Sequence, residues 1–266
     1  MENNMNEALI FDSHAHYDDP AFDEDRKELL ASLREGGVGL VMDVSADFRD
    51  IPKVLKLSSE YDFIYAAVGI HPSNLEGIGN DEFEELERLS KEPKVKAIGE
   101  IGLDYHYEET NKPLQKEGFA RQIDLAKRRR LPVIIHSRDA ASDTFEIMRS
   151  EKAEETGGVI HCFSYEKEMA ARFLDLGYYL GIGGVVTYKN ARKIIEVVEY
   201  TPLERILLET DCPYMSPVPF RGKRNDSRLI KYAAQKISEI KNVSMEEVIR
   251  VCADNALRMY QIDQGI

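Results

Sequence analysis

The chain is short of cysteine, of cationic charge and of long apolar runs. Its three cysteines, Cys162, Cys212 and Cys252, stand far apart with no C-x-x-C pair. That excludes a disulfide framework or a zinc ribbon as the organising device and points to reduced, buried thiols in a cytoplasmic protein. No stretch approaches the roughly 18 consecutive apolar residues of a membrane span. Met1 to Ile10 shows no cationic cluster ahead of an apolar run, so neither a signal peptide nor a membrane partner is expected. Lys and Arg number 35 against 48 Asp and Glu, a net charge of −13. A general basic field for holding nucleic acid is thereby excluded, because such binding needs clustered cations to displace counterions. A small local basic patch remains compatible with that balance. Gly and Pro are scattered rather than clustered, so no linker or low-complexity tract divides the 266 residues, and residues 1–266 are expected to form a single domain.

What the chain does contain is a repeat of period. Short apolar runs predict strands near Ala8–Phe11, Leu40–Val44, Ile64–Val68, Val95–Ile98, Val133–Ile135, Gly158–Ile160, Tyr178–Leu180 and Ile206–Leu208. Amphipathic stretches lie between them. In Pro113–Arg130, Phe119, Ile123 and Ala126 recur three or four apart; in Tyr165–Leu176, Met169, Phe173 and Leu176 do the same. From His14 to Asp211 the successive strand ends are about 28 residues apart, the length of a strand, a helix and two short loops. Eight such units predict an α/β fold, a (β/α)8 TIM barrel whose active site lies at the C-terminal ends of the strands. Helical patterns at Leu229–Glu239, Ser244–Cys252 and Asn255–Tyr260 predict the eighth barrel helix and extra C-terminal helices.

All six histidines, His14, His16, His71, His106, His136 and His161, fall at or just past a predicted strand end and none falls in a helix. A shared layer at the barrel mouth explains this economically. In Asp12-Ser13-His14-Ala15-His16, alternate residues face one side, so both imidazoles can reach one ion. Glu100 closes the fourth predicted strand and has two oxygens with which to bridge two ions. His136 and His161 are each the first polar residue after an apolar run, and Asp211 follows Ile206-Leu207-Leu208-Glu209-Thr210. A charge just past a buried strand needs a cation or hydrogen-bond partners. Four imidazoles and two carboxylates are enough for two divalent ions sharing a ligand; such a set suits Zn, Mn, Co or Fe, and Mg less well at the imidazole-rich position.

These motifs, with Val68-Gly69-Ile70-His71-Pro72, Gly99-Glu100-Ile101-Gly102-Leu103-Asp104-Tyr105, His136-Ser137-Arg138, His161-Cys162-Phe163 and Glu209-Thr210-Asp211-Cys212-Pro213-Tyr214, resemble the TatD family of metal-dependent deoxyribonucleases. The resemblance runs from the first strand to Asn255-Ala256-Leu257-Arg258. It implies hydrolysis of DNA phosphodiester bonds, as a 3′-5′ exonuclease, within the amidohydrolase-like TIM barrels. It also implies that His14, His16, Glu100 and Asp211 hold one metal, that Glu100, His136 and His161 hold the other, and that His71 contacts substrate phosphate. The family's basic loop corresponds here to Phe220-Arg221-Gly222-Lys223-Arg224-Asn225, in which Arg221 and Lys223 would clamp the phosphodiester. The chain departs from the family where Asp226-Ser227 replaces the common Glu-Pro after that Asn.

The expected chemistry is attack by a metal-activated water, with Asp211 and Glu100 as the catalytic carboxylates and Asp211 accepting the proton. Asp12 shares a strand face with His14, and Glu209 with Asp211, so each is expected to orient a ligand. DNA is expected as a transient partner, single-stranded or at 3′ ends, with no obligatory protein partner. An amide, lactone or aminoacyl-tRNA ester on the same metals is the alternative within hydrolases, and a non-catalytic binding barrel the alternative outside them.

Overall fold

In the computed structural model, residues 9–263 are described. Eight parallel strands, β1 (Ile10–Ala15), β2 (Val38–Val44), β3 (Ile64–Val68), β4 (Val95–Asp104), β5 (Val133–Arg138), β6 (Gly158–Ile160), β7 (Tyr179–Ile182) and β8 (Ile206–Leu208), pair in sequence order. Closure between β8 and β1 is made just beyond β8. There the Asp211 amide donates to the His14 carbonyl at 2.9 Å and the His16 amide to the Cys212 carbonyl at 2.8 Å. Helices α1 (Arg26–Ser32), α2 (Ile51–Glu60), α3 (Asn80–Leu89), α4 (Lys112–Arg129), α5 (Ala141–Ser150), α6 (Lys167–Asp175), α7 (Arg192–Tyr200) and α8 (Ile230–Lys241) follow the eight strands in turn. The predicted (β/α)8 barrel is thus the observed one. None of the described helices is long and apolar enough to cross a membrane.

Several elements differ from expectation in extent, β5 among them, which runs to Arg138 rather than ending at Ile135. Ala8, predicted to begin β1, lies outside the described residues, while the strand itself continues through His14. β4 runs six residues past Ile98, because Ile101 and Leu103 are buried in the layer between barrel and helices while Glu100 and Asp104 alternate with them. Two glycines and two carboxylates hid that period. Gly102, at φ +140°, pairs with His136, and a Cβ there would lie 1.9 Å from the His136 carbonyl, so only glycine fits. Finally, the two C-terminal patterns from Ser244 to Tyr260 are one continuous helix, α9 (Met245–Met259), capped by the Ser244 hydroxyl, which accepts the Glu247 amide at 3.0 Å.

The barrel interior is filled from its N-terminal side. Phe11, Met42, Ala67, Ala97, Ile134, Val159, Tyr179 and Leu207, one side chain from each strand, pack with Ala256, Met259, Tyr260 and Ile262 at the end of α9. Buried Tyr260 donates its hydroxyl to the Ser13 carbonyl at 2.8 Å. With the floor plugged, the open end is the C-terminal one.

Candidate metal centre

The closure of β8 onto β1 brings Asp211 beside His14 and His16. The His16 Nδ1–H donates to the Val44 carbonyl at 2.7 Å, which leaves the Nε2 lone pair facing inward. That Nε2 lies 3.1 Å from His14 Nε2, 3.4 Å from Asp211 Oδ1 and 3.8 Å from Glu100 Oε2. On the other side of the same carboxylate, Glu100 Oε1 is 2.6 Å from His161 Nε2 and 2.7 Å from His136 Nδ1. Glu100 therefore stands between two sets of imidazoles, one at each oxygen. His14 and His161, one from each set, stack directly face to face with ring centres 3.9 Å apart.

Charge explains what this arrangement needs. Burial works to depress the His16 and His136 imidazoles, yet Asp211 and Glu100 around the first, and Asp104 and Glu100 around the second, carry them up to about 10 and about 9. Buried carboxylates from which water is excluded call for positive charge, and protons supply it when nothing else does. A divalent ion supplies the same charge through lone pairs that already converge: donor atoms of His14, His16 and Asp211, and of His14, Glu100 and His161, lie within 4.8 Å of one another. Buried His14 Nδ1 and His161 Nδ1 have no hydrogen-bond partner. The donor set fits metal.

His71 comes within 3.9 Å of Glu100 Oε1 through its Nε2, close enough to be grouped with Glu100 and His136 as a ligand. Its Nδ1, however, accepts the Ser73 amide at 3.2 Å and lies 2.6 Å from the Ser73 hydroxyl. Burial and the His136 charge push it down to about 3, so the neutral ring carries its proton on Nε2. His71 faces the centre as a hydrogen-bond donor rather than as a lone pair.

Asp104 is the site residue that the sequence reading missed. Its Oδ2 meets His136 Nε2 at 3.1 Å and its Oδ1 accepts the His106 amide at 2.9 Å. Burial opposes the charge, but these partners hold the carboxyl down at about 2. Its signal was the i+4 spacing from Glu100 on one strand face.

The two expected orienting carboxylates each lie next to a ligand other than their strand neighbour. Asp12 does not meet an imidazole. It accepts the Thr210 amide and hydroxyl at 3.0 and 2.6 Å and the Ser227 hydroxyl at 2.6 Å, so it fixes the backbone that carries Asp211. Glu209 lies beside His161 rather than Asp211. Its Oε1 accepts the Cys162 amide at 2.6 Å and stands 3.8 Å from His161 Nδ1, and burial pushes the carboxyl up to about 8. His106 turns outward to exposed Asp139 at 3.0 Å, away from the ligand cluster.

In the loop after β8, Asn225 is buried and donates to the Thr210 and Tyr214 carbonyls at 3.0 and 2.7 Å. Arg224 is committed to Asp25 through two bonds of 2.7 and 2.6 Å. Exposed Arg221 lies 4.5 Å above the Tyr188 ring and exposed Lys223 5.9 Å from the Phe220 ring, and neither forms an ion pair among the described residues. The basic loop thus presents two unpaired cations rather than three.

The family model for TatD-related DNases matches residues 11–261. The chain belongs to that family. It is similar to the uncharacterized metal-dependent hydrolase YabD of Bacillus subtilis strain 168, at 42% identity over 255 residues, 96% of this chain and all of the relative. The uncharacterized metal-dependent hydrolase YcfH of Escherichia coli K12 is 38% identical over 260 residues, covering 96% of this chain and 97% of its own. Among solved structures, the TatD homologue YjjV of E. coli K12 superposes with a TM-score of 0.92 at 32% identity, covering 97% of this chain and 100% of that one. This TatD-family chain is accordingly a metal-dependent hydrolase.

Proposed function

We propose that the chain hydrolyses phosphodiester bonds in DNA, single-stranded or at 3′ ends, in the cytoplasm, using two divalent ions that share Glu100. The supporting observation is the position of Glu100, with one oxygen beside His14 and His16 and the other beside His136 and His161. Asp211 completes the first set, and Asp104 holds His136 in the second. Such ions, when bound, activate water and offset charge on the phosphoryl oxygens.

The remaining roles belong to the chain. Burial works to raise the Asp211 carboxyl, but the surrounding histidines outweigh it and hold it below the usual range, so it is ionised and able to take a proton. His71 offers its Nε2–H to a phosphate oxygen. Arg221 and Lys223 supply local positive charge beside the mouth of a protein with net charge −13. Phosphate recognition is what favours DNA over a neutral ester or amide.

The test is a panel of 5′- and 3′-labelled single-stranded oligonucleotides against lactones, amides and aminoacyl esters, with Zn, Mn, Mg and Co and with elemental analysis. Metal-dependent shortening from the 3′ end is expected, with two ions per chain. Ester or amide turnover without any DNA cleavage overturns the proposal.

A further inference from the structure

A cavity of about 210 Å³ lies between the loop after β3 and the loop from β4 into α4, on the side of the barrel mouth where Asp104 stands. Two of its walls already serve the centre: Ser73 holds His71 Nδ1, and Asp104 holds His136 Nε2. The cavity thus shares Ser73 and Asp104 with the residues that position His71 and His136. Its volume falls below the roughly 300–1,000 Å³ of pockets for drug-sized ligands and suits a single ring system.

The cavity is built against phosphate. α4 begins at its edge, but the first-turn amides are already used: Lys112 donates to the Thr110 carbonyl at 3.0 Å, Leu114 to Asn111 Oδ1 at 3.2 Å and Gln115 to the Asn111 carbonyl at 3.0 Å. Residue 113 is proline and has no amide hydrogen. Glu76 and Glu109 add two carboxylates to the lining. Tyr107 lines it too, with Pro72 and Leu114, and is 64% exposed, a large aromatic surface left in water. Acceptors around an aromatic face suit a planar group rich in hydrogen-bond donors.

We propose that this cavity is a nucleobase subsite, in which the base of a nucleotide flanking the scissile phosphate stacks on Tyr107 and offers its N–H groups to Glu76 and Glu109. The assignment rests on the phosphodiesterase reading. Phosphate goes to His71 and the metal cluster, and the base goes to the acidic, aromatic side of the same rim. Base stacking of this kind tolerates any sequence, because every base has a π-face.

The experiment uses the full-length, metal-loaded chain and single-stranded oligonucleotides in which one abasic residue is walked along the last nucleotides. Expected is a rise in KM of about tenfold at one position of the abasic residue and little change at the others. Tyr107→Ala should raise KM on the intact oligonucleotide by a similar factor and collapse the intact-to-abasic ratio towards one, while Tyr107→Phe restores it. Equal KM for intact and abasic oligonucleotides, or a Tyr107→Ala loss of the same size on both, overturns the subsite alone. If the wild-type chain cleaves neither, the phosphodiesterase reading falls and the subsite falls with it.

Discussion

The mouth and the floor of the barrel are built from the same eight strands to opposite specifications. At the floor, one apolar side chain from each strand meets the end of α9, and the polar atom that enters, the Tyr260 hydroxyl, has its acceptor. At the mouth the buried side-chain atoms without a partner among the described residues are His14 Nδ1, Asp18 Oδ1, Asp43 Oδ2, His161 Nδ1 and Glu209 Oε2. Every one belongs to the C-terminal half of a strand or the residues just after it. Unpaired buried polar atoms cost stability. Among the described residues the fold concentrates that cost around the mouth and leaves the floor satisfied, so substitution should cost chiefly activity at one end and stability at the other.

The largest separation is expected from Glu100→Ala. With the shared carboxylate gone, kcat/KM should fall by at least about a thousandfold, equivalent to several kcal/mol of transition-state stabilisation. Elemental analysis should show metal lost. The melting temperature of chelator-treated protein should fall, since the buried His136 and His161 imidazoles lose the carboxylate that pairs with them. Near-full activity with metal still bound would break the assignment of this end to chemistry. At the other end, Met42→Ala opens a cavity in the floor and should cost about 2–5 kcal/mol in denaturant unfolding. Activity per folded molecule should stay near wild type; a large fall in kcat/KM would show that the ends are not separable.

The strand order was legible in the sequence because apolar runs and helical periods repeat at one spacing. Most of the cluster was legible too, since histidines confined to strand ends carry a positional signal that no single H-x-H does. What escaped depends on continuation and direction. Asp104 looked like loop because Gly99, Glu100 and Gly102 interrupt the apolar run, although Ile101 and Leu103 keep the strand period on the outward face. Asp12 shares a strand with His14, but spacing cannot say that its carboxylate turns away to Thr210 and Ser227. Likewise, three cations in four residues do not reveal that Arg224 is already taken by Asp25.

Asp104→Asn sharpens the comparison within the mouth. The amide keeps the shape but weakens the hold on His136 Nε2, so metal affinity at the Glu100–His136–His161 set and kcat/KM should each fall about 10- to 100-fold. Metal titration followed calorimetrically checks it. Unchanged affinity would mean that β4 beyond Ile101 is framework rather than site.

The smallest effect divides the basic loop itself. Arg221 stacks on Tyr188 with its charge unpaired, whereas Arg224 spans from the β8 loop to Asp25 with both ends of its guanidinium engaged. Neutralising a phosphate contact on single-stranded DNA lowers the slope of log affinity against log salt by a little under one and weakens binding evenly across sequences. Arg221→Ala should therefore raise KM for oligonucleotides by about three- to tenfold at low salt, flatten the salt dependence, and leave kcat nearly unchanged. Arg224→Ala should leave the salt slope alone and cost no more than about 1 kcal/mol of stability, because a partly exposed ion pair is worth little. If the two variants change the salt slope equally, charge at this rim acts as a general field rather than through one contact; if neither changes it, the phosphate is held by the metal cluster and His71 alone.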